Sequence, residues 1–212
     1  MTEASEAAPH NIRKAKGEGY QRRAEILLAA EGIFVAVGYK ATTVRGIAKA
    51  VGISSAGLYV HFPDKEAILL EICLQALTGL EASLSEIAAH PTEPKDTTRR
   101  ILHAFCHFGL TNRAAHQAVF GTERIAMIES KEDVMLLAWD CVSYLINAVL
   151  ALSAAGLLNG KDPMVVVQAL GVSCHGLVSL LNMAPALPWI PQDVLIDAVI
   201  DGLFNGLVTD PA

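Results

Sequence analysis

Catalytic signatures are missing from this 212-residue chain. It contains no G-x-S-x-G elbow, no H-E-x-x-H pair and no phosphate-cradling glycine loop, so no enzyme is expected. Cysteine is sparse: residues 73, 106, 141 and 174 stand far apart with no C-x-x-C pair. That excludes a disulfide framework and a zinc finger, and reads as small buried hydrophobes in a reducing, cytoplasmic compartment. The N-terminus lacks the apolar core of a signal peptide, so secretion is not expected. Strand-like alternation is absent. Charge is absent from Cys141 to Gly160, long enough to raise the question of a membrane. Ser143, Asn147, Ser153 and Gly156 interrupt that run, which predicts a helix buried on most faces of a soluble bundle and no membrane partner.

What is present is apolar. Hydrophobic residues make up 52% of the chain and the mean hydropathy is +0.39. Such values imply deep burial, an oligomer interface or an apolar cavity. The net charge of −6 hides an asymmetry. From His10 to Lys65 there are nine Lys/Arg and four Asp/Glu, whereas Glu66 to the end has seven basic and sixteen acidic residues. A basic front on an acidic body is the charge pattern of a nucleic-acid-reading domain joined to a different second domain.

The stretch Thr42–Lys65, TTVRGIAKAVGISSAGLYVHFPDK, organises the chain. Thr43 is an N-cap candidate for a helix from Val44 to about Val51, which Gly52 would end in the left-handed conformation. Ser54 would cap a second helix over Ser55–His61, and Pro63 and Asp64 would open the next. Val44, Ile47, Ala48 and Val51 share one face, with Ile53, Leu58 and Phe62 closing the core opposite. Outward on the second helix stand Ser55, Ala56, Gly57, Tyr59 and His61, small or hydrogen-bonding groups that can approach a major groove. These are the dimensions of a helix-turn-helix; an ordinary helical hairpin has the same spacing.

Residues 23–72 resemble the N-terminal domain of the Tet-repressor (TetR) family of transcriptional regulators. The resemblance rests on Gly38-Tyr39, Thr42-Thr43, Ile47-Ala48, Gly52, Leu58-Tyr59 and Phe62-Pro63-Asp64-Lys65-Glu66 at the family's spacings. It departs at Ser55, where Lys or Pro is frequent, and at Ala56-Gly57, which bears on the operator sequence. The resemblance implies an all-α fold: a three-helix DNA-binding domain with helix-turn-helix, then a larger helical ligand-binding and dimerisation domain. It also implies phosphate contacts from Thr43, Arg45, Tyr59, His61 and Lys65, with Ser54, Ser55, Ala56 and Gly57 nearest the bases.

In chain order, 1–17 is expected to be a disordered basic arm carrying Arg13, Lys14 and Lys16, 18–63 the DNA-binding domain and 64–212 the body. A first helix is expected over 19–37 with Ile26, Ala30, Ile33, Phe34 and Val37 inward. Further helices are expected over 64–89, 95–111, 114–128, 132–156, 163–182 and 191–208. The last two carry apolar stripes (Leu170, Val172, Leu177, Leu180 and Leu181; Ile196, Val199, Ile200, Leu203 and Leu207) and small residues, and the resemblance implies that they pack against a twin as a homodimer on a palindromic double-stranded operator. HFGLTNRAAHQAVF (107–120) and CHGLVSLL (174–181) resemble the regulatory domain of a branch with a His-Gly pair near the dimer helix.

Expected ligand-pocket residues are His103, Phe105, His107, Met127, Trp139, Tyr144 and His175, around an apolar or amphipathic small-molecule effector that releases a repressor from DNA. No cofactor is expected. Two alternatives stand beside this reading. His103 and His107 at i, i+4 could chelate a metal in a metal-dependent sensor, or the reading head could be vestigial on a helical ligand-binding protein.

Overall fold

The computed structural model describes residues 18–120 and 131–209. The described residues form nine helices and no strand: α1 (Glu18–Val37), α2 (Val44–Val51), α3 (Ser55–Tyr59), α4 (Lys65–Ala89), α5 (Pro94–Thr111), α6 (Arg113–Phe120), α7 (Glu132–Ala154), α8 (Pro163–Met183) and α9 (Gln192–Leu207). The all-α expectation holds, and the helix boundaries that fall among the described residues agree to within two residues. The expected basic arm, with Arg13, Lys14 and Lys16, lies outside the described residues, as do positions 121–128 of the sixth expected helix and Met127.

Local chemistry explains where the helices begin. Asp64 accepts the Ala67 N–H at 2.7 Å and starts α4; Asp162 does the same for α8 through the Met164 N–H at 2.7 Å. Each satisfies a donor that a helix start leaves unpaired. Pro94 and Pro163 occupy first-turn positions where no N–H is needed.

The head and α4 share one core. Ile26 and Phe34 of α1, Ile47 of α2, Leu58 of α3 and Phe62 are buried together with Ile68, Leu69 and Leu77 of α4. Burying Phe62 alone is worth about 3 kcal/mol against truncation to Ala. Val37, expected inward, is 57% exposed at the very end of α1, while Phe34 in the same turn is buried. A second cluster joins α5, α7, α8 and α9 through Leu102, Val149, Leu170, Val178, Ile196 and Phe204.

Helices α4, α7 and α8 each have the length and hydropathy to cross a membrane. In this fold α7 packs on α4, α5 and α8. The expectation that α7 is buried on most faces is corrected: it buries one face through Val134, Ala138, Cys141, Ala148, Val149 and Leu152. Leu136, Trp139 and Leu150 stay exposed on the other. Its neighbours all lie on one side, and a straight helix cannot turn its remaining surface towards them.

Candidate DNA-reading face and effector site

Both short helices of the head carry the expected caps. Thr43 Oγ1 accepts the Gly46 N–H at 3.0 Å and Ser54 Oγ accepts the Gly57 N–H at 3.0 Å. A hydroxyl that accepts one bond still has its own O–H to donate, so both caps keep a donor for a phosphate oxygen. Gly52 sits at φ 72°, ψ 30°, where a side chain would be strained, and the Ile53 N–H returns to the Ala48 carbonyl at 3.0 Å. This left-handed stop turns the chain sharply enough to set α3 against α2.

Helix α3 is shorter than expected. It ends at Tyr59, and the His61 and Phe62 N–H groups both reach the Leu58 carbonyl, at 2.8 and 3.0 Å. Leu58 is its sole buried residue. Arg45, Ala56 and Tyr59 are exposed; Ser55, Gly57 and His61 are half-buried. Val60, 80% exposed beside Tyr59, joins this face. Sequence reasoning missed it because an apolar residue in an amphipathic pattern reads as core; Val60 keeps helical angles, φ −65°, ψ −28°, beside the exposed Tyr59.

Lys65 departs from its expected place at a phosphate. Its ammonium donates to the Tyr39 and Thr42 carbonyls at 2.8 and 2.9 Å, with a longer contact of 3.4 Å to Lys40. It also lies 4.3 Å from the centroid of the Tyr39 ring. The first turn of α4 aims the side chain back at the α1–α2 connection, whose carbonyls no helix satisfies. Lys65 thereby holds the Thr42-Thr43 segment in place. Arg23 plays a similar part: it makes a bidentate pair with Glu71, donates to the His61 carbonyl at 2.6 Å and lies 4.0 Å from the Phe62 ring centroid. One guanidinium thus ties α1 and α4 to the end of the recognition helix.

Residues 26–72 match the model of the bacterial regulatory proteins of the tetR family. Over those residues the chain is similar to the TetR family. It is 40% identical over 81 residues to the HTH-type transcriptional repressor KstR2 of Rhodococcus jostii, a match covering 38% of this chain and 40% of that repressor. It is 26% identical over 211 residues to the HTH-type transcriptional regulator EthR of Mycobacterium tuberculosis, covering 93% of this chain and 92% of the relative. The crystal structure of the TetR-family regulator PfmR from Thermus thermophilus superposes with a TM-score of 0.73 at 26% identity, covering 85% of this chain and 97% of that one.

In the helical body, the expected pocket residues divide into separate groups. Phe105 and His175 come together around His116, which the pocket expectation omitted. The His116 ring lies 5.1 Å from His175, 6.1 Å from Phe105 and 5.9 Å from Phe120, centroid to centroid. Ser179 Oγ is 3.4 Å from His175 Nε2. His116 is 1% exposed, and its Nε2 has no hydrogen-bond partner, as is also true of Arg113 Nε. Burial first, then the neighbouring His175, lowers the His116 pKa to about 4, so the ring is neutral near pH 7. The His116 ring fits because residue 109 is Gly: a Cβ there would stand 2.8 Å from His116 Cδ2 and 2.5 Å from Val178 Cγ1. His116 was invisible as a partner of His175 because 59 positions separate them in the chain; only the packing of α6 on α8 joins them.

The other expected pocket residues lie elsewhere. Trp139 is 63% exposed on α7, which corrects its assignment to the cavity wall. Tyr144 turns towards α4, its O–H donating to Glu81 at 2.9 Å. His103 and His107 face α9. His103 Nε2 is 3.0 Å from Asp197 and His107 Nε2 is 3.6 Å from Asp193, while Arg99 pairs with Asp201. Basic groups at 99, 103 and 107 thus meet acids at 201, 197 and 193, a ladder with a four-residue step on each antiparallel helix. The metal alternative is not supported: each His has its own carboxylate, and among the described residues no group of three or more His, Cys, Asp or Glu could hold a metal ion.

All four cysteines are buried and free, as expected. Cys106 and Cys174 meet between α5 and α8, where the hydrogen bond between them and then burial push the Cys106 thiol up. The stripes on α8 and α9 separate into two lines. Leu170, Cys174, Val178 and Leu181 face inward, as do Ile196, Ile200 and Phe204. Val165, Val172, Leu180, Met183 and Val194 remain between 42% and 76% exposed. The expected dimer stripe is corrected accordingly: Leu170, Leu181, Ile196 and Ile200 are intramolecular core.

Proposed function

We propose that this chain is a sequence-specific, DNA-binding transcriptional regulator whose operator affinity is set by an apolar or amphipathic small molecule held in the helical body. The observation that carries this reading is the head: two capped helices at a glycine turn, presenting small and hydrogen-bonding groups on an exposed face. Thr43, Arg45, Tyr59 and His61 would meet phosphates, and Ser54, Ser55, Ala56, Gly57 and Val60 would lie nearest the base edges. Lys65 and Arg23 hold that surface in shape. We assign the protein no catalytic step and expect it in the cytoplasm.

The effector would sit against Phe105, His116 and His175, where neutral rings offer an aromatic wall and one buried nitrogen still without a partner. A ligand hydroxyl or carbonyl reaching His116 or Arg113 would gain a bond that the empty protein lacks. If that ligand favours a head spacing that does not match the operator, its binding releases DNA.

Two copies would join through the outward line of α8 and α9, where Val172, Leu180 and Met183 flank the small, exposed Gly176. Such a dimer would place two heads on a palindromic site. The test is fluorescence anisotropy on the upstream intergenic DNA across a salt series. Tight binding that exceeds a scrambled duplex and falls steeply with salt is expected. Equal, weak binding to both duplexes, with no genomic fragment selected, would overturn the reading. Val172→Arg should yield a folded monomer by sedimentation; a dimer of unchanged stability would refute this interface.

A further inference from the structure

A cavity lies where the head meets the body. It is an open cleft of about 320 Å³ between α1 and α4, with Asn112 from the end of α5 in its wall. Leu27 and Ile72 give it a buried apolar floor, and Leu28 stands beside it 75% exposed. Along α1 the lining runs from Tyr20 to Glu31, about 16 Å at the rise of a helix.

The polar groups in the cavity are unequally matched. Glu71 is neutralised by Arg23. Glu31 has no hydrogen-bond or ion-pair partner among the described residues, although it is half-buried, and that burial raises its pKa. A half-buried carboxylate beside an apolar floor, without a counter-ion, gains from a ligand that brings one. Arg23 also lines the cavity while holding the His61 carbonyl and the Phe62 ring at the end of α3. An occupant therefore touches the residue that sets the pose of the recognition helix.

We propose that this α1–α4 cavity is a binding site for amphipathic amines, with the ammonium on Glu31 and the hydrocarbon along Leu27, Leu28 and Ile72 towards Arg23. It is distinct from the body site, and its occupancy is linked to DNA affinity. By that linkage, operator DNA alters amine affinity by the same factor as the amine alters operator affinity.

Calorimetry on the full chain without DNA tests the site, using octylammonium chloride, with n-octanol and sodium octanoate as comparison ligands. Octylammonium should bind about tenfold more tightly than the alcohol, and octanoate more weakly than either. Glu31→Gln should abolish that preference. Leu28→Lys, at an exposed position one turn from Glu31, should supply an internal ammonium and weaken octylammonium about tenfold. Equal affinity for amine and alcohol, or a preference unchanged in Glu31→Gln, would overturn the site. Anisotropy on operator DNA then tests the linkage: saturating octylammonium should change operator affinity, and an unchanged affinity would overturn that part. Failure of the regulator reading is separable, because the calorimetric arm contains no DNA.

Discussion

Replacing Lys65 by Met removes the ammonium and keeps most of the stem. The wild-type group makes two good charge-assisted bonds, to Tyr39 and Thr42, and faces the Tyr39 ring. Bonds to charged groups contribute about 1.5–3 kcal/mol each when their partners cannot turn to water. Here the Lys40 and Thr43 side of the connection is exposed, so water replaces part of what is lost. We therefore expect a total cost of about 2 kcal/mol, of which the ring contact supplies about 0.5. In a chain of this size that lowers the melting temperature by about 4–8 °C. Urea titration followed by far-ultraviolet circular dichroism reads the cost, and anisotropy across a salt series reads the DNA arm. Lys65→Met should leave the salt slope unchanged, whereas Arg45→Ala should reduce it by about one. Unchanged stability together with a reduced slope in Lys65→Met would refute the positioning role and put the ammonium at a phosphate.

Other consequences are equally specific. Gly109→Ala drives a Cβ to 2.5 Å from Val178 Cγ1 and should cost about 2 kcal/mol in urea titration, with Val178→Ala recovering part of it. His116, whose pKa falls to about 4 against 6.5 unfolded, makes stability pH-dependent. Between those values the unfolded chain binds the proton and the folded chain does not. The contribution is therefore complete above about pH 6.5 and declines by about 3 kcal/mol as pH falls towards 4. His116→Phe should remove that component from the pH profile relative to wild type, and identical profiles would count against a buried neutral ring. Arg23→Ala, which frees the His61 carbonyl and leaves Glu71 with only the Gln75 amide, should cost about 2 kcal/mol and weaken operator binding without Arg23 touching DNA. Thr43→Ala should cost about 1 kcal/mol through loss of the α2 cap.

The fold class and the reading head were legible in the residues themselves. Caps, glycine stops and the spacing of Ile47, Ala48, Leu58 and Phe62 are local signals, because a helix start or stop depends on neighbours within four positions. Thr43, Ser54, Gly52 and Asp64 accordingly stand where the sequence puts them. Side-chain direction across helices is another matter. Nothing near Lys65 in the chain says that its ammonium will satisfy carbonyls 23 to 26 positions earlier. Nor does a stripe of Leu, Val and Ile on α8 state which residues meet their own chain and which are left outward. The same limit split the expected pocket: His103 and His107 meet acids on α9, Trp139 lies in solvent, and His116 joins Phe105 and His175. Local sequence determined the helices and the DNA-reading turn, since their hydrogen bonds close within a turn of chain. Only the tertiary structure decided which groups confront one another across helices, since those distances depend on how whole faces pack.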